Sequence, residues 1–202
     1  MTEQLTTKTH ATIAQQSING RKLTLRGMKL AKQNHQVGDV YIVSDISGSM
    51  GGEKMDGLKS ALKTVYRPGI KMYAFSDKTY EITENDIDKL HAISSTNMLS
   101  ALHETWSQAP RHIILITDGQ PNGGPWPILN AAQSHKDTPI DTIGISSYGR
   151  SDYDPEFLSE LAALTGGKFT DCGKPIQLTS IIQNLLLGVG TSSQLKGGTI
   201  QI

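Results

Sequence analysis

Residues Val40-Tyr41-Ile42-Val43 are apolar without interruption, and a turn and a helical pattern follow them closely. This juxtaposition constrains the fold more than any other feature. An unbroken apolar run bounded by turn residues reads as a strand covered on both faces, the position of a strand inside a parallel sheet. Met55, Leu58, Leu62 and Val65 follow at spacings of 3, 4 and 3, which is one face of a helix. The alternation then continues. Pro68-Gly69 breaks the chain before a second strand at 70–75, and Asp77-Lys78 turns it into a short strand at 79–82. As a hairpin partner that strand should be an antiparallel edge. A short helix over 85–93 and a helix marked by Leu99, Leu102 and Trp106 lead to a continuously apolar strand at 113–116. A helix over 127–135 follows, with Pro127 suited to its first turn, and then a strand over 140–145. Phe157, Leu158, Leu161 and Leu164 form a helix face that stops at Gly166-Gly167. A short strand over 168–171 and an amphipathic helix over 176–187 complete the series. The pattern predicts an α/β fold: a doubly wound, mostly parallel, Rossmann-like central sheet with one short antiparallel edge strand and helices on both faces.

The expected organisation is an N-terminal extension over 1–37, a main domain over 38–188 and a Gly/Ser-rich tail over 189–202. Within the extension, residues 21–32 carry five basic side chains and no acid. The whole chain balances 19 basic against 19 acidic residues, so its net charge favours neither nucleic acid nor an anionic membrane. Cys172 is the sole cysteine, which excludes an internal disulfide and a Cys-rich zinc site. No apolar run approaches the roughly 18–20 residues that span a bilayer, and residues 1–16 lack the apolar core of a secretory signal. A cytoplasmic location is the expectation.

Three short motifs carry the chemistry. Asp45-Ile46-Ser47-Gly48-Ser49 closes the first strand, Ser95-Thr96-Asn97 precedes a helix, and Thr117-Asp118-Gly119 closes the third long strand. Open parallel sheets bind ligands at the carboxyl ends of their strands, near the point where strand order reverses. Asp45, Ser47, Ser49, Thr96 and Asp118 therefore belong on one edge. Two carboxylates and three hydroxyls are hard oxygen ligands that suit a divalent cation such as Mg²⁺ and leave a position open. No His or Cys joins the set, so the case for zinc or copper fails. Taken singly, a Ser-x-Ser at a strand-to-helix turn is an ordinary N-cap and Asp-Gly an ordinary turn. Their joint occurrence is what points to a metal.

The Asp45-x-Ser47-x-Ser49 turn, Thr96 and Thr117-Asp118-Gly119 resemble the metal-ion-dependent adhesion site of von Willebrand factor A (vWA) domains, in particular small soluble bacterial and phage members. The resemblance covers about 38–187, and the order of strands and helices agrees with it. One departure is Ser94-Ser95, where many relatives have two glycines. The resemblance implies that Ser47, Ser49 and Thr96 ligate Mg²⁺, with Mn²⁺ or Ca²⁺ as other candidates, and that Asp45 and Asp118 act directly or through bound water. It further implies a non-enzymatic module whose open metal position accepts an Asp or Glu carboxylate from a partner protein. By analogy that partner is an ATPase, kinase or phosphatase encoded nearby. Residues 176–187 correspond to a last helix that shifts in some relatives.

Two rivals stand beside this reading. A Mg²⁺-dependent phosphoryl-transfer or hydrolase enzyme would use the same ligands, but the chain has no P-loop lysine motif and no evident general base. A ribonucleoprotein component would use the basic 21–32 segment, although such a run is more commonly a solvated helix face, and nucleic acid is not the expected partner. Trp126, in the Gly/Pro-rich loop after Asp118, either anchors a partner or covers the adjacent helix. Residues 148–154 either join the rim of the site or form a solvated connection.

Overall fold

The computed structural model describes residues 40–93, 95–119, 121–147 and 152–195, with backbone alone from 190 onward. The basic 21–32 segment, the last residues of the tail and most of the 148–154 loop lie outside this set. Six strands form one sheet in the order β3-β2-β1-β4-β5-β6. They are β1 (Val40–Asp45), β2 (Ile70–Phe75), β3 (Thr79–Ile82), β4 (His112–Thr117), β5 (Ile140–Ile145) and β6 (Phe169–Cys172). All neighbours run parallel except β3, which pairs antiparallel with β2 and forms the edge. This is the expected architecture. Strand order reverses between β1 and β4, which lie side by side with Ser44 opposite Ile116.

Parity along the strands builds two cores. Val40 and Ile42 of β1, with Met72, Ala74, Ile114, Ile116, Ile143 and Ile145, face the helices α1 (Glu53–Val65) and α6 (Leu178–Leu195). Tyr41 and Val43, with Tyr73, Phe75, Ile113 and Leu115, face α3 (Met98–Ser107), α4 (Trp126–Ala132) and α5 (Pro155–Thr165). Every residue of β1 and β5 is buried, as expected of inner strands covered by helices on both faces.

The helices depart from the sequence expectation in three places. The helix expected over 85–93 is a single turn, α2 (Glu84–Ile87), closed by a capping box between Thr83 and Asp86. Beyond it the chain extends so that the Ile93 amide can donate to the Ile46 carbonyl at 2.7 Å. The helix around Pro127 starts at Trp126 and ends at Ala132, short of His135. The last helix begins after a 3₁₀ turn, Pro175–Gln177, and runs through Gly188 to Leu195. Val189 carries the apolar stripe of Leu185 and Leu186 onto the core past the point where composition suggested a tail.

Candidate metal centre

Asp45 is the last residue of β1 and is fully buried. Its Oδ1 accepts a hydrogen bond from the Ser47 amide at 2.7 Å, and its Oδ2 accepts from the Thr117 hydroxyl at 2.6 Å. The carboxylate is thus held at the β1–β4 reversal by the neighbouring strand end. Burial pushes its pKa above the ordinary 3.8; the Thr117 hydroxyl and Ser47 amide oppose this, and the nearby Asp118 charge adds slightly to it.

After Asp45 the chain forms a 3₁₀ turn, Gly48–Met50. Neither serine serves as a side-chain cap. Ser47 precedes the turn without such a bond, and Gly52 is the residue before α1. The hydroxyls point to each other and onward instead: Ser47 Oγ lies 3.1 Å from Ser49 Oγ, and Ser49 donates to Asp118 Oδ1 at 2.8 Å. The ordinary N-cap reading of Ser-x-Ser therefore does not hold here. Asp118 is likewise more than a turn residue, being fully buried at the end of β4.

The structure thus joins Asp45, Ser47, Ser49 and Asp118, with Thr117 as the link between the two strand ends. Thr96 reaches the same edge through its backbone. It is buried, its carbonyl accepts from the Asn122 amide at 3.2 Å, and the next amide, Asn97, donates to the Ser76 carbonyl at 2.6 Å just past β2. Gly119 leaves space among these groups. A Cβ there would stand 3.7 Å from both Asp45 Oδ2 and Ser49 Oγ and 4.0 Å from Thr117 Oγ1, so three oxygens converge where this residue has no side chain.

Sequence reasoning did not single out Lys54. Its Nζ donates to Asp118 Oδ2 at 2.5 Å and lies 3.4 Å from both the Ser49 carbonyl and Asp152 Oδ2. A signal was available: a basic residue in the first turn of α1 opposes the helix dipole and so calls for an acidic partner. Asp152 belongs to the 148–154 loop, for which the sequence offered either the rim of the site or a solvated connection. Its Oδ2 accepts from the Ser146 hydroxyl at 3.0 Å and the Ser147 amide at 3.1 Å, both just past β5. Burial raises the Asp152 pKa, but the Ser147 amide, the Ser146 hydroxyl and Lys54 outweigh it and the net shift is downward. Trp126 is 73% exposed and does not cover its helix.

The described residues contain no cluster of three or more His, Cys, Asp or Glu side chains. A cation at this edge would need hydroxyls among its ligands, and the converging oxygens offer them. The donor set fits a hard ion of the Mg²⁺ type, with Asp45, Ser47, Ser49, Thr96 and Asp118 as the residues that would hold it.

Comparison with known proteins bears on the same elements. The family model of the von Willebrand factor type A domain matches residues 67–171, just over half of the chain. The chain belongs to the vWA family. The matched segment includes Thr96 and Asp118 and begins after the Asp45–Ser49 turn. A human relative, von Willebrand factor A domain-containing protein 3B, is 28% identical over 151 residues, which is 64% of this chain and 11% of that protein. The vWA chain thus spans about a tenth of that relative's length. Among solved structures, the von Willebrand factor type A protein from Catenulispora acidiphila superposes with a TM-score of 0.65 at 22% identity, over 75% of this chain and 42% of that one. BatB from Bacteroides thetaiotaomicron gives 0.60 at 14% identity, over 75% and 98% of the two chains. The SpRpn10 VWA domain gives 0.57 at 11% identity, over 72% and 93%. These likenesses establish the vWA fold. Domains of this family generally mediate protein interactions. Among the described residues no helix is long and apolar enough to cross a membrane.

Proposed function

We propose that this vWA domain is a protein-interaction module whose adhesion site holds Mg²⁺, with Mn²⁺ or Ca²⁺ as substitutes, and engages an Asp or Glu side chain of a partner. The observation that carries the reading is the hydrogen-bonded series Asp45–Thr117 and Ser47–Ser49–Asp118 at the strand-order reversal, with Gly119 leaving space beside Asp45 Oδ2, Ser49 Oγ and Thr117 Oγ1. A bound cation supplies an electrophilic position for the incoming carboxylate. The chain's own residues do the rest. Thr117 and the Ser47 amide fix the orientation of Asp45, and Ser49 fixes that of Asp118. Trp126, eight residues after Asp118 along the chain and largely exposed, offers an apolar contact to a partner, in keeping with the enrichment of Trp at binding hot spots.

We read the site as binding rather than catalytic. Lys54 is engaged by Asp118 and Asp152 and is not poised as a base. The partner, by analogy with modules of this size, is an ATPase, kinase or phosphatase, and the setting is cytoplasmic. Affinity capture with the 202-residue chain, in Mg²⁺ and in chelator, tests the proposal. A partner retained in Mg²⁺, released by chelator and lost with Asp45→Ala is the expected result. Capture that ignores both the chelator and the substitution would contradict it, as would robust Mg²⁺-dependent phosphatase or nucleotide hydrolysis by the clean protein.

A further inference from the structure

Lys54 occupies one carboxylate oxygen of Asp118. Its ammonium is on Asp118 Oδ2, while Asp118 Oδ1 takes the Ser49 hydroxyl, so both carboxylate oxygens are engaged. The Lys54 side chain is only 10% exposed and stands in the first turn of α1, where the helix dipole disfavours positive charge. Such a placement is costly unless the charge answers another one. Here it answers two. Asp152 stands 3.4 Å from the same nitrogen, already fixed by the Ser146 hydroxyl and the Ser147 amide. A shift of less than about 1 Å would bring Nζ to ordinary hydrogen-bond distance from Asp152.

We propose that Lys54 is a built-in counter-cation that neutralises Asp118 in the metal-free protein and withdraws to Asp152 when a divalent cation takes Asp118. The proposal rests on the metal-site reading above and adds a regulation of that site. Without Lys54, Asp45 and Asp118 would be two buried carboxylates at adjacent strand ends with no cation between them. With it, the empty site is already partly neutralised, and a divalent ion must compete with a tethered ammonium. Asp152 lowers the cost of that competition by giving the ammonium a second anionic seat. The pair Lys54–Asp152 then sets how much free metal the module needs before it can bind a partner.

Titration calorimetry with MgCl₂ and with MnCl₂ on the full chain tests this. Lys54→Met removes the competitor, so metal affinity should rise on the order of tenfold, within the usual range of site coupling. Asp152→Asn removes the second seat, so affinity should fall by a similar factor. Lys54→Arg retains the charge and should not gain affinity. The apo melting temperature of each variant is taken first; should Lys54→Met fail to fold, Asp152→Asn decides. Unchanged or weaker binding by Lys54→Met, or unchanged or tighter binding by Asp152→Asn, would overturn the hand-over while leaving the metal site standing, provided the wild type binds and Asp45→Ala does not. No metal heat from the wild type would remove both.

Discussion

The two ends of the sheet each bury aspartate, and they do so in opposite ways. At the amino-terminal ends of β4 and β5, Asp141 is closed off. One oxygen pairs with His112 Nε2 at 2.8 Å, and the other accepts the Lys168 amide at 2.7 Å. Gly167 packs so tightly there that a Cβ would lie 2.0 Å from the Ile140 carbonyl oxygen. At the carboxyl-terminal ends, Asp118 meets the hydroxyl of exposed Ser49, Asp45 meets that of Thr117, and Gly119 leaves room beside Asp45 Oδ2 and Ser49 Oγ. The lesson is that a buried carboxylate is not in itself a site. What marks a site is a set of oxygens that converge on space carbon has not filled.

Four experiments break or sharpen this contrast. The largest stability effect belongs to the closed end. Asp141→Ala strands the His112 nitrogen and the Lys168 amide, and should cost roughly 2–4 kcal/mol in chemical denaturation while leaving Mg²⁺ affinity unchanged. Loss of metal binding in that variant would mean that the two ends are coupled.

At the open end the sign reverses. Because burial raises the Asp45 pKa, the folded state favours its neutral form. Its contribution to stability is therefore complete below the ordinary value of 3.8 and is lost as pH rises through the raised value. At neutral pH the metal-free fold carries that cost. Asp45→Asn should remove it, stabilising the apo protein by about 1 kcal/mol, abolishing the metal response and flattening the acid-side stability profile. A destabilised Asp45→Asn protein would show that the charge supports the fold.

Gly119→Ala is a subtler probe. A methyl group at ordinary contact distance from Asp45 and Ser49 should weaken Mg²⁺ binding at least about tenfold and alter stability by less than about 0.5 kcal/mol. Unimpaired binding would place the cation elsewhere. The smallest effect is expected of Trp126→Ala: little change in stability or metal affinity, since the ring is exposed, but about 1–2 kcal/mol weaker binding of any captured partner.

Much of this was legible in the chain. The identity of β1 and β4 followed from apolar runs, because a strand buried on both faces tolerates little else; β2, β3 and β5 begin and end at the residues expected from the sequence. Asp45 and Asp118 were readable for a related reason, as polar residues that end apolar strands of a parallel sheet. The misses have a common physical origin in tertiary contact. The Ile93 amide leaves a helical path to meet Ile46, and α6 persists through Gly188 because Leu185, Leu186 and Val189 still find the core. Lys54 was missed because its partners, Asp118 and Asp152, are 64 and 98 positions away along the chain and only the fold brings them together.

The most direct test is a crystal grown in MnCl₂ and measured at the manganese absorption edge. The account predicts one anomalous peak at about 2.1 Å from hydroxyl or carboxylate oxygens of the Ser47, Ser49 and Asp118 group, with the Lys54 ammonium on Asp152. A map without a peak at that edge under saturating Mn²⁺, with Lys54 still seated on Asp118, would contradict it.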